Sequence, residues 1–372
     1  MLAVLQLLSL LYLAAPLWAQ DGGWQKEWND LVGRAKQEGK VTVLAPPDPE
    51  ARVSLPAKFK ERFGIDMEYL GASFGGGAAR KLLMERRAGL YQIDVVLGGV
   101  DSVTTVTFPE KVHDPLRPLL ILPEVLDPSK WKEGKLWFMD PPQQYVLRLF
   151  NNLTTVLGVN TAQVKPGEIQ SFKDILNPKW KGKLSVYDAS VVGKGAGFAA
   201  YLLDVFGEEF VRRLYIGQQP AVSRDDRQIT DWLARGTYPI AVGPSPDPVE
   251  RLRKDGLPVL ALAEMPGITA KTNGAEGFVM LMNKPPHPNA ARVFVNWIAS
   301  REGLGAYARS QLAVPFRNDL DESYLPSWRI PRPRTNYWDS SSWEYNVTRK
   351  QLLMDRVRAL MKERADVRRP GQ

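Results

Sequence analysis

Six short segments of this 372-residue chain carry side chains suited to holding a small charged solute. Ser73, Phe74 and Gly75 lead a glycine run into a stretch bearing Arg80 and Lys81. Backbone N–H groups at a helix N-terminus approach an anion closely where glycine removes the Cβ. Gly99 and Asp101 stand at the end of the apolar run Ile93 to Gly99. Ser190 and Lys194 flank a second glycine-containing turn, and either could hold a carboxylate or phosphate. Lys194 is followed by Gly195, so the Ser or Thr that a phosphate loop requires is missing. Arg224 offers a planar donor fork for a carboxylate or phosphate, with Asp225 or Asp226 available to cap the helix that follows. Ser245 follows another apolar run, and Glu276, in Asn273 to Gly277, suits an amine and so opposes a purely anionic solute. All of this is the chemistry of reversible binding.

Catalysis is poorly provided for. The chain has no cysteine, which excludes disulfides, thiolate metal sites, a Cys nucleophile and a lipid-acylated Cys. Its two histidines, His113 and His287, neighbour no nucleophile motif and are badly placed for a metal. No cofactor motif is found. Trp131, Trp137, Tyr145 and Tyr187 could stack on a sugar or a cation, or fill a core.

The elements that must position these loops can be read from periodicity. Trp24, Trp28, Leu31, Val32 and Ala35 share one helical face. Strands are predicted over 40–47, 66–71 and 93–99, with helices over 49–63 and 76–89 between them. Such alternation argues for a parallel α/β sheet, whose ligands lie outside the carboxyl ends of the strands. Residues 136–160 hold two strand-like runs. A second α/β unit follows, with strands over 183–188 and 238–243 and helices over 195–206 and 226–236. Residues 277–283 read as a buried strand. The stretch from Pro288 reads as a helix, with Ala290, Ala291, Phe294, Trp297 and Ile298 on one face and Gly303 as its C-terminal cap. The end of the chain predicts an amphipathic helix over 345–365.

Two segments resemble a known family. HPNAARVFVNWIASREG, from His287, and DILNPKWKGKL, from Asp174, are similar to signatures of family 1 extracellular solute-binding proteins of bacterial ABC importers. The resemblance implies an α/β fold of the type II periplasmic binding protein kind, two lobes with a ligand cleft between them. It implies hinge closure around a small-molecule ligand and delivery to ABC permease and ATPase subunits at the inner membrane. It also implies a monomer without enzymatic activity. Ferric-binding relatives place adjacent tyrosines after the strand at 238–243, where this chain has Pro244 and Ser245, so ferric or chelated metal is the alternative cargo and not the preferred one. Thiamine-degrading relatives use a Cys nucleophile, which is absent here.

The resemblance divides the chain into a first lobe over 24–145 and 276–322 and a second over 146–275. A tail over 323–372 is expected to pack on the second lobe. Residues 1–19 read as a cleaved signal peptide, uncharged and rich in Leu and Ala over 2–18, with Leu17-Trp18-Ala19 before the cut. This places the protein in the periplasm. The formal charge of +8 is spread over dispersed Lys and Arg without a nucleic-acid motif. Charge and loop ends together favour a small organic anion, a carboxylate or phosphorylated compound.

Overall fold

The computed structural model describes residues 23–72 and 75–368. The expected signal peptide lies outside the described residues, as do Ser73 and Phe74. The strands in chain order are β1 (Lys40–Ala45), β2 (Asp66–Gly71), β3 (Val95–Gly98), β4 (His113–Asp114), β5 (Val146–Arg148), β6 (Asn152–Thr154) and β7 (Leu157–Asn160). They continue as β8 (Leu184–Tyr187), β9 (Ala221–Ser223), β10 (Ile240–Val242), β11 (Val259–Leu262), β12 (Lys271–Asn273), β13 (Phe278–Met282) and β14 (Trp338–Asp339).

The first lobe is built on a sheet of order β2-β1-β3-β13-β4, with β5 also paired to β13. β1 runs parallel to β2 and β3, and β13 returns antiparallel to β3. Helices cover both faces, which is why β13 is apolar throughout instead of alternating. On one face the helices Gly23–Glu38, Pro49–Phe63 and Pro288–Ala299 share a core in which Phe59 meets Phe294 and Trp297 edge-on, at 5.5 and 5.3 Å. The helix Gly76–Arg87 covers the other face. Local signals fix the helix ends. Asp48 accepts a 2.6 Å hydrogen bond from the Ala51 amide, and Gly64, at φ 68°, closes the same helix in the left-handed conformation.

The second lobe has a sheet of order β11-β7-β10-β8-β9. The helix Lys194–Phe206 packs on one face, and the helices Asp226–Arg235 and Pro246–Lys254 pack on the other. The C-terminal helix Lys350–Arg368 lies against Lys194–Phe206, with Leu353, Val357, Leu360 and Met361 buried in the same core.

A third, smaller sheet joins the lobes. β6 carries the chain out and β12 carries it back, paired antiparallel, and β14 of the C-terminal segment pairs parallel with β12. β14 is anchored by an ion pair. Arg148, only 4 % exposed, reaches Asp339 at 2.6 Å and also donates to the Phe150 carbonyl and to Asn151. Residues 136–160 thus hold three short strands, not the two runs expected, and β5 belongs to the first sheet.

One expected boundary is corrected. The helix from Pro288 ends at Ala299, and Ser300 accepts from the Gly303 amide to start a new helix, Arg301–Ser310. Gly303 lies inside that second helix. A Cβ there would come 2.1 Å from the Trp297 carbonyl oxygen, so glycine permits the close junction instead of capping.

Candidate functional site

Between the lobes lies a cleft of about 550 Å³. Its second-lobe wall comes from the loops after β8, β9 and β10, at the carboxyl ends of those strands, where ligands of α/β sheets bind. Its floor is β6 and β12. The first-lobe side is formed by Glu276 and by the end of the helix Arg301–Ser310, and the C-terminal segment adds Arg329.

Lys194 anchors the second-lobe wall. A Cβ on the next residue, Gly195, would sit 2.3 Å from the Asp188 carbonyl oxygen, so glycine lets the first helical turn close onto the end of β8. The Lys194 ammonium then lies 2.7 and 2.8 Å from the two Asp226 carboxylate oxygens and also donates to the Ser245 hydroxyl. It stands 4.9 Å over the Tyr187 ring. The Ser245 amide donates to the Tyr187 hydroxyl at 3.2 Å. Burial pushes the Asp226 carboxyl up, but hydrogen bonds from Lys194 and Tyr187 outweigh it and hold it below the usual range. Burial, reinforced by Asp226, pushes Tyr187 up to about 12. This wall is neutralised within itself.

The floor and the first-lobe side differ. Lys271, on β12, is half-buried, and no carboxylate lies within ion-pair reach among the described residues. Its ammonium is 5.9 Å from both the Tyr201 and Trp338 rings. Burial, aided by the nearby Lys350 charge, pulls its pKa down to about 8. Glu276 follows a tight turn in which Ala275 adopts a φ of 44° and the Gly277 amide donates to the Gly274 carbonyl. Burial pushes its carboxyl up, and the Gly99 amide draws it partly back. Glu276 Oε2 is buried without a hydrogen-bond partner, as are Gln311 Nε2 and Arg329 Nε. Buried polar atoms are normally satisfied, and these three belong to residues that line the same cleft.

Of the residues singled out in the sequence, Lys194, Ser245 and Glu276 line this cleft together. Gly99 is adjacent, with the Glu276 carboxylate 3.6 Å from where its Cβ would stand. Gly75 precedes the helix Gly76–Arg87 away from the cleft lining. Asp101 is paired with Lys350 of the C-terminal segment at 2.6 Å. Ser190 closes a local turn onto Asp188, its hydroxyl donating at 2.6 Å. Arg224, expected to reach inward, is 66 % exposed and pairs with Asp188 at 2.7 Å outside the cleft lining. Asp225, not Asp226, caps the helix, accepting from the Arg227 amide. Trp131 is core, its indole N–H donating to the Val125 carbonyl.

Sequence reasoning passed over Lys271, Gln311 and Arg329 and offered Asp226 only as a helix cap. The one signal available for Lys271 was a lone lysine in the short segment Thr269 to Gly274, just before the returning strand.

Neither histidine is offered to the cleft. His287 binds Asp94 through its amide and Nδ1, and His113 is buried beside Thr107, with burial pushing it down to about 4. No group of three or more His, Cys, Asp or Glu capable of holding a metal occurs among the described residues. No helix among them is long and apolar enough to cross a membrane.

Comparison with known proteins places this geometry. Ferric ion-binding protein A of Pasteurella haemolytica, in its apo form, superposes with a TM-score of 0.64 at 15% identity, covering 87% of this chain and 98% of its own. The periplasmic binding protein AfuA of Actinobacillus pleuropneumoniae, solved with fructose-6-phosphate, matches at 0.57 and 17%, covering 87% and 99%. A GABA receptor matches at 0.60 and 16%, covering 86% and 97%. These likenesses show the fold, a two-lobed periplasmic binding protein, and span three different kinds of cargo. Comparison of sequence alone finds no match among curated proteins. A family model matches residues 45–304, most of the described chain, and on that ground the protein belongs to the bacterial extracellular solute-binding proteins, substrate-binding components of ABC importers.

Proposed function

We propose that this chain is a periplasmic receptor that captures a small polar solute bearing an oxyanion and hands it to an ABC permease with its ATPase. The observation that carries the reading is Lys271, a cation in the interlobe cleft with no carboxylate partner among the described residues. An uncompensated buried charge is costly, and a ligand oxyanion removes that cost while contacting the hinge. A ligand that touches both lobes binds the closed state better than the open one and so drives closure. No catalytic group is required. The receptor acts as a monomer, exported by a signal peptide over 1–19. With β5 in the first sheet, its first lobe spans 24–148 and 276–322 in place of the expected 24–145 and 276–322, its second 149–275, and the tail 323–372 rides on the second.

The test is a thermal-shift screen of protein beginning at Gln20, against carboxylates, sugar phosphates, amino acids, polyamines, sugars and ferric citrate. A ligand at one hundred times its Kd adds about 2.7 kcal/mol of stability. A shift confined to solutes with an oxyanion supports the reading. A shift with ferric ion alone returns the alternative cargo.

A further inference from the structure

The charged side chains lining the cleft are three cations, Lys194, Lys271 and Arg329, and three carboxylates, Asp226, Asp247 and Glu276. Two pairs cancel. Lys194 holds Asp226 at 2.7 Å, and Arg329 holds Asp247 at 2.8 Å. One cation and one carboxylate are left over, and they do not meet. Lys271 sits on the hinge strand beside Tyr201 of the second lobe, and Glu276 sits beyond the turn, against Gly99 of the first.

We propose that the solute is dipolar, with an ammonium received by Glu276 and an oxyanion received by Lys271. This rests on the receptor reading and narrows it. A simple anion would satisfy Lys271 but bring negative charge into a cleft where Glu276 Oε2 is already buried and unpartnered. A simple amine would leave Lys271 uncompensated. A neutral sugar would leave both charges desolvated and unpaired. A solute carrying both charges compensates both residues and keeps the filled cleft neutral. The orphaned donors Gln311 Nε2 and Arg329 Nε supply hydrogen bonds to its oxygens. Because Lys271 stands on the hinge strand and Glu276 against the first lobe, the same solute spans from the hinge to the first lobe.

The experiment is calorimetric titration of protein beginning at Gln20 with the straight-chain amino acids from glycine to 6-aminohexanoate. Each is paired with the carboxylate lacking its amine and the amine lacking its carboxylate, and fructose-6-phosphate, citrate and glucose serve as controls. The inference expects one amino acid to bind at least tenfold tighter than both of its counterparts. Glu276→Gln should shrink the preference over the plain carboxylate by roughly tenfold or more, and Lys271→Met the preference over the plain amine. If either variant fails to fold, the wild-type preference decides alone. Tightest binding of citrate or fructose-6-phosphate, undiminished in Glu276→Gln, overturns the dipolar solute while leaving an oxyanion receptor. Folded protein that retains none of these solutes overturns both.

Discussion

On the second-lobe wall of the cleft, every charge that the sequence offers is already matched. Lys194 is shared between Asp226 and Ser245, and outside the cleft Arg224 holds Asp188. Across the cleft, Lys271 and Glu276 are desolvated and have no such partner. The difference separates scaffold from reception. A pair made within the wall fixes loop geometry and gives a ligand little to improve, whereas an uncompensated charge gains most when the ligand arrives. The hinge shows the first pattern in buried form, with Arg148 and Asp339 tying β14 to the crossing strands.

The contrast can be broken most severely at the hinge. Asp339→Ala leaves Arg148 buried without its carboxylate and should cost about 3–5 kcal/mol, read as a large fall in denaturation midpoint. A loss below 1 kcal/mol would mean that the pair is more solvated than its burial indicates. Next comes the receiving side. Lys271→Met should weaken binding of an oxyanion-bearing solute roughly tenfold to a hundredfold while leaving apo stability equal or higher, since a buried charge is removed. Weakened folding with unchanged affinity would make Lys271 a structural residue.

The titration of Lys271 gives a sharper test. Its pKa is about 8 in the folded protein against 10.5 ordinarily. Between those values the unfolded chain holds the extra proton, so this group makes the apo protein more stable as pH rises. Raised tyrosine values act oppositely only above their ordinary 10.0. The wild type should therefore gain stability relative to Lys271→Met between pH 8 and 10, and its affinity for an oxyanion should fall over the same range. Parallel melting curves would remove the effect.

The pre-paired wall should respond least. Lys194 and Asp226 are 49 % and 44 % exposed, so Asp226→Asn should change stability by no more than about 1 kcal/mol and affinity less than Lys271→Met does. Arg224→Ala should leave affinity unchanged in calorimetry, because its partner Asp188 lies outside the cleft lining. A measurable loss would bring that loop back into the site.

Much of the architecture was legible from local pattern. The helix Pro49–Phe63 and the strand Asp66–Gly71 stand where the alternating pattern predicts them. The loop ends after β8 and β10 were singled out because strand ends in an α/β sheet are where ligands go, and Lys194 and Ser245 from them line the cleft. Gly303 was misread because a glycine that permits close packing and a glycine that ends a helix look the same in sequence.

What the sequence alone determined is therefore the set of elements, their two-lobed order and the residue types offered to the cleft, all properties of short-range periodicity and capping. Which charges are spent and which remain was decided only by tertiary structure. Lys194 finds Asp226 across 32 residues, Arg329 finds Asp247 across 82, and Arg148 finds Asp339 across 191. Lys271 and Glu276, five positions apart, find no charged partner among the described residues. An ion pair depends on distance and desolvation in space, and neither is written in the spacing of residues along a chain.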